Sequence, residues 1–142
     1  MRRLISFLTA AAVLAIPSTV LAADGGRPFV VEMTGAAEVP GPGDPDGSGT
    51  AWFFVNVGQM EICYTLVVEN IAPATAAHIH VAPPTAPGPV VVPLAAPTSG
   101  EVSACASVAD VALLKDILQN PSDYYVNVHN AEFPAGAVRG QL

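Results

Sequence analysis

Positive charge is scarce in this sequence. Only five of its 142 residues are Lys or Arg, and two of them, Arg2 and Arg3, stand at the extreme N-terminus. From residue 23 onward Arg27, Lys115 and Arg139 face twelve acidic residues, three minus twelve, a net charge of −9. Nucleic acid and anionic membrane surfaces are therefore excluded as partners, because binding either needs clustered Lys and Arg. Cations are better guests. Nucleophile motifs are missing as well: Ser99, Ser103, Ser107 and Ser122 lie in no G-x-S-x-G or S-x-x-K context. No glycine-rich phosphate loop is present, and closely spaced carboxylates occur only at Asp44 and Asp46. With no hydrolase signal, a non-enzymatic role is expected. Long apolar runs are absent too. The longest, Leu4 to Ile16, is shorter than the roughly 20 residues a bilayer requires, so no membrane span is expected.

That first run has another reading. A basic start, an apolar stretch, and Val20 and Ala22 at the −3 and −1 positions of a cleavage site make residues 1–22 a secretory signal peptide. The residues after Arg2 and Arg3 fit the twin-arginine motif poorly, so the general secretory route is expected. Removal leaves residues 23–142, the size of one domain, exported to the periplasm or the extracellular space. The sequence holds just two cysteines, Cys63 and Cys105. In a chain leaving the cytoplasm they are expected to form a disulfide; neither has a CxxC partner, which argues against a thiolate metal site.

Proline and glycine, 14 and 12 residues, punctuate apolar runs of strand length throughout, which predicts an all-β fold. Strands are expected at Arg27 to Thr34, Thr50 to Val57, Met60 to Asn70, His78 to Val81, Pro89 to Leu94 and around Ala104 to Ala106. Two more flank a Pro/Gly turn near the C-terminus. Within the third, Ile62, Tyr64, Leu66 and Val68 alternate with Glu61, Cys63, Thr65, Val67 and Glu69, so Cys63 faces away from the core. Pro89 and Pro93 put their strand at an edge or limit its hydrogen bonding. Residues 71–77 read as a connector. The loop of residues 41–49 carries Asp44 and Asp46 but lacks the further ligands of an EF-hand, so it reads as an acidic turn in solvent. One helix is expected near residues 109–119: Leu113, Leu114, Ile117 and Leu118 form an apolar stripe, Ser107 or Asp110 can cap it, and Pro121 ends it. It reads as a lid on one end of the sheet, with an interaction helix as the alternative.

All three histidines fall in strands, at His78, His80 and His129. Alternate residues of a strand share a face, so His78 and His80 lie together if Ile79 and Val81 face the core, with Cα atoms roughly 6–7 Å apart. Near the C-terminus Tyr124, Val126 and Val128 take the core side, while Tyr125, Asn127 and His129 take the other. Across the turn Arg139 and Gln141 join that polar face. If His129 reaches His78 and His80, three imidazoles can hold one ion. Nitrogen ligands without sulfur favour Cu(II) or Zn(II). Asn127 and Glu132 are candidate partners that fix a ring tautomer. Arg139 reads as a salt-bridge partner of Glu132 or Glu38 before an anion clamp. The alternative to a metal is a face of hydrogen-bonded histidines that meets a protein or glycan.

Taken together, Gly35-Ala36-Ala37-Glu38-Val39-Pro40, Gly47-Ser48-Gly49-Thr50-Ala51, Ala77-His78-Ile79-His80, Gly88-Pro89-Val90-Val91, Tyr124-Tyr125-Val126-Asn127-Val128-His129 and the ending Arg139-Gly140-Gln141-Leu142 resemble the CHRD domain. That module repeats in the extracellular protein chordin and stands alone in exported bacterial proteins. The resemblance covers residues 28–142 and implies a secreted β-rich domain. The chain departs from the family pattern after His80, where Ala82-Pro83-Pro84 replaces a glycine-containing turn. More weakly, the His-x-His pair and the late Val128-His129 are similar to the copper-binding positions of Cu,Zn superoxide dismutase. That enzyme is a Greek-key β-sandwich, and its bridged metal pair needs histidines this chain lacks. The combined expectation is a Greek-key-like antiparallel β-sandwich or barrel. Its function is binding of a metal ion, copper first and zinc second, through His78, His80 and His129, and the alternative is a structural or adhesion module.

Overall fold

The alternation that marks the strands in the sequence also decides how they close on one another. The computed structural model describes residues 27–142; the expected signal peptide lies outside the described residues. The strands are β1 (Arg27–Thr34), β2 (Ser48–Asn56), β3 (Glu61–Glu69), β4 (Ala74–Val81), β5 (Val90–Leu94), β6 (Glu101–Ser107), β7 (Tyr124–Asn130) and β8 (Val138–Gln141), with one helix, α1 (Val111–Gln119), between β6 and β7. They form one antiparallel sheet in the order β5-β4-β7-β8-β1-β2-β3-β6. The end strands β5 and β6 approach each other, so the sheet curls into a nearly closed barrel.

Inward-pointing residues of successive strands fill the barrel. Val31 and Met33, Phe53 and Val55, Ile62, Tyr64 and Leu66, Ile79, Val126 and Val128, and Val138 are all buried there. Each full burial of such a side chain contributes roughly 1.5–3 kcal/mol, and a one-residue slip in any strand would turn its set outward. Helix α1 adds Leu114 and Ile117 to the same core, as the lid reading expects. Asp110 caps it, its Oδ1 accepting from the N–H groups of Ala112 and Leu113 at 2.9 and 3.1 Å. β5, which carries Pro93, is an edge strand; there the missing N–H breaks no ladder bond on its outer side.

On the outer surface Cys63 of β3 and Cys105 of β6 sit directly opposite each other and form a disulfide. The bond ties two strands whose cysteines are 42 residues apart in sequence. A closed loop of that length contributes about 4 kcal/mol on the chain-entropy account.

Two segments depart from the sequence reading. β4 begins at Ala74, inside the expected connector, because residues 74–77 pair with β7 across a bulge, Ala76 opposite His129 and Ala77 opposite Val128. Tertiary pairing overrides the weak strand signal of Ala and Thr. Asp44, expected in a solvated turn, is buried. The loop folds back, with the Asp44 N–H donating to the Ala137 carbonyl at 2.8 Å and the Gly43 N–H to Gly35 at 3.0 Å. Asp46 stays exposed.

Candidate metal centre

β4 and β7 lie side by side, and their outward faces carry the histidines. His78 pairs with Asn127, His80 with Tyr125, and Ala76 with His129. His129 is therefore the diagonal neighbour of His78, a separation that long side chains cross readily. The three rings meet. His78 Nδ1 lies 3.1 Å from His129 Nε2, and one nitrogen from each of His78, His80 and His129 lies within 4.8 Å of the others.

Two backbone carbonyls orient two of the rings. His80 Nδ1 is 2.8 Å from the Gly88 carbonyl, and His129 Nδ1 is 3.1 Å from that of Pro134. A carbonyl can only accept, so both Nδ1 atoms carry the hydrogen, and in the neutral rings each Nε2 keeps its lone pair. His80 Nε2 is buried and has no hydrogen-bond partner. Buried nitrogens are rarely left so. Its ring stacks on Tyr125, nearly parallel at 5° with 4.6 Å between centroids, and Tyr125 lies under the Arg139 guanidinium, 3.5 Å from the ring centre. The stack fixes where His80 Nε2 points.

Burial lowers the pKa of His78 below the ordinary histidine value, helped by repulsion from His129 and His80. Burial lowers that of His129 as well, against the opposing pull of the Pro134 carbonyl. Both effects favour the neutral imidazole that a metal requires. Asn127 Oδ1 lies 3.0 Å from His129 Nε2. Because that nitrogen bears a lone pair, the hydrogen between it and His78 Nδ1 belongs to His78.

The other residues singled out in the sequence are placed as follows. Asn127 touches His129 and is almost fully buried. Arg139, opposite Asn127 in register, is also buried. Its guanidinium donates to the carbonyls of Pro83 and Ala86 at 3.0 and 3.1 Å and to Gln141. Glu132 is exposed in the β7–β8 turn, where its backbone N–H donates to Asn130. The carbonyl beside His129 Nδ1 is that of Pro134. The segment after His80 thus contributes carbonyls, which prolines supply as well as glycines do. Ala82 accepts from Gln141 and Gly88 from His80.

With the geometry in hand, comparison with family models is decisive for membership. The model of the CHRD domain matches residues 29–142. The chain belongs to the CHRD domain family. Searches of curated proteins and of solved structures found no significant match. In this CHRD domain the segment Gly35 to Pro40 has a part the sequence reading missed. It carries Glu38, which is 5% exposed; burial pushes its carboxyl up to about 7, against the opposing pull of Arg139, the Val39 N–H and the Asn127 side chain. Its Oε1 and His80 Nε2 are the buried side-chain atoms without partners among the described residues. The signal was present as a single acid inside an apolar, Gly/Pro-rich string. Tyr125 was placed on the right face, but stacking cannot be read from alternation.

The other metal-like grouping, Glu61 with Cys63 and Cys105, offers no thiolate, since both sulfurs are in the disulfide.

Proposed function

We propose that this CHRD domain is an exported, non-enzymatic binder of a transition-metal ion, copper first and zinc second, held by His78, His80 and His129. The observation that carries the reading is the buried, unpartnered Nε2 of His80 in a cluster where one nitrogen from each of the three histidines lies within 4.8 Å of the others. An all-imidazole donor set with an amide oxygen beside it suits Cu(II), which outcompetes other divalent ions at nitrogen sites, and then Zn(II). The disulfide is in keeping with an oxidising compartment. Among the described residues no helix is long and apolar enough to cross a membrane. The test is loading with Cu(II), with stoichiometry and EPR read on the purified protein. One equivalent with nitrogen hyperfine structure is expected, and binding no tighter than that of the His78→Ala/His80→Ala/His129→Ala variant refutes the site.

The second reading, a structural or adhesion module for a protein or glycan, draws on a different surface. Val30, Trp52 and Phe54 stand exposed on the outer face of β1 and β2, where Val30 and Trp52 are paired. It predicts a pull-down of partner that survives chelator.

A further inference from the structure

We propose that Gly88 is a positioning residue of the histidine site: its carbonyl holds His80 and its N–H holds Tyr125, so that glycine backbone keeps His80 Nε2 bare and available to the cation. This inference rests on the metal reading and extends it to a residue outside the strands that carry the ligands.

Residues 82–89 leave β4 after Val81 and return as β5, and side chains of β4, β7 and β8 hold their backbone. Gln141 and Arg139 of β8 take the near end, donating to the carbonyls of Ala82, Pro83 and Ala86 at 2.9, 3.0 and 3.1 Å. Gly88 holds the far end. Its carbonyl accepts from His80 Nδ1 at 2.8 Å, and its N–H donates to the Tyr125 hydroxyl at 3.2 Å. His80 of β4 and Tyr125 of β7 are cross-strand partners whose rings stack. One residue thus grips both members of the stack.

A side chain has no room at this point. A Cβ on Gly88 would run into the Val81 carbonyl oxygen and come within 2.8 Å of the Ala82 Cβ. The first obstacle is backbone at the end of a strand, which cannot turn aside as a flexible side chain does. The Val81 N–H also donates to the Pro89 carbonyl at 3.2 Å, so the returning segment and the strand end are tied together here. An added methyl group has to push Gly88 away from β4, and its carbonyl away from His80.

The effect on the ligand follows from the single hydrogen of a neutral imidazole. The Gly88 carbonyl keeps that hydrogen on Nδ1 and leaves the lone pair on Nε2, the buried atom without a partner. Without the carbonyl the hydrogen can occupy either nitrogen, and the Nε2–H form offers the cation no ligand. The coupling is reciprocal. A cation on Nε2 draws charge out of the ring and makes Nδ1–H a stronger donor, which tightens Gly88 onto His80. The His129 ring is held by the Pro134 carbonyl instead and does not depend on Gly88.

The experiment compares the full mature protein with Gly88→Ala and with Tyr125→Phe, which loses the hydroxyl and keeps the ring. In metal-free protein at pH 8 the ¹⁵N resonances of the rings report where each hydrogen sits. In Gly88→Ala the His80 hydrogen is expected to divide between Nδ1 and Nε2 while His129 keeps its own on Nδ1; a purely structural role would move both rings or neither. Zn(II) affinity, read by competition with a chelator of known affinity, is expected to fall about tenfold to a hundredfold in Gly88→Ala and several-fold in Tyr125→Phe. A His80 ring that keeps its wild-type resonances in Gly88→Ala, or a Zn(II) affinity that stays at the wild-type value there, overturns the role of Gly88 and leaves the site standing. Absence of Zn(II) and Cu(II) binding in wild type overturns the metal reading and this inference with it. Should Gly88→Ala not fold, hydrogen exchange at the Gly88 N–H decides: it is expected to slow several-fold when Zn(II) is added to wild type and to quicken in Tyr125→Phe, and a rate that neither change moves overturns the proposal.

Discussion

Glu38 makes the stability of the metal-free protein depend on pH in an unusual direction. Its folded-state pKa, about 7, lies above the ordinary value of 4.5 because burial penalises the charged form. Below pH 4.5 the group is protonated in folded and unfolded chains alike, and it costs nothing. Between pH 4.5 and 7 the unfolded chain ionises first, so stability falls as pH rises, and above pH 7 the full cost is present. A difference of about 2.5 pKa units corresponds to roughly 3 kcal/mol as an upper bound, and relaxation of a site with some water access reduces this to about 1–2 kcal/mol. Glu38→Gln removes the titration while keeping the shape. Any constant effect of the substitution drops out when the two proteins are compared across pH. Urea unfolding of metal-free protein, followed by Trp52 fluorescence, should show Glu38→Gln gaining about 1–2 kcal/mol on wild type between pH 5 and pH 8. A difference that stays constant with pH, or that moves the other way, would refute the buried-carboxyl argument.

Replacing both cysteines, Cys63→Ser with Cys105→Ser, should cost up to about 4 kcal/mol in urea unfolding, since a loop with a sequence separation of 42 residues is released; a loss below 1 kcal/mol would mean that β3 and β6 already hold the loop closed in the unfolded ensemble. Tyr125→Leu removes the ring between His80 and Arg139. It should destabilise the fold by about 1–2 kcal/mol and weaken Cu(II) binding several-fold, measured by competition with a chelator of known affinity, because His80 is then free to turn.

The strands were legible because alternation is a local signal: Ile62, Tyr64, Leu66 and Val68 announce their face without reference to anything distant, and so do Val126 and Val128. Pairing His78 with His80 needed only the same period of two. Their meeting with His129 did not follow from pattern, because it depends on β4 lying beside β7, a neighbour relation that skips β5, β6 and α1. Burial of the polar face was also hidden. Residues 82–88 pass over it, and a proline-rich segment gives no sign in sequence of which surface its carbonyls will meet. Glu38 was weighed only as a salt-bridge partner of Arg139. The burial that gives it a different character includes a close approach by Gly136, far from it along the chain and against it in space.

The histidine site is tested most directly by the nitrogen resonances of the three rings during titration with Zn(II). One equivalent should shift one ring nitrogen of His78 together with His80 Nε2 and His129 Nε2, while His80 Nδ1 and His129 Nδ1 keep the hydrogens they give to the Gly88 and Pro134 carbonyls. Resonances that remain where they were, or a shift confined to one ring, would contradict a three-histidine metal centre.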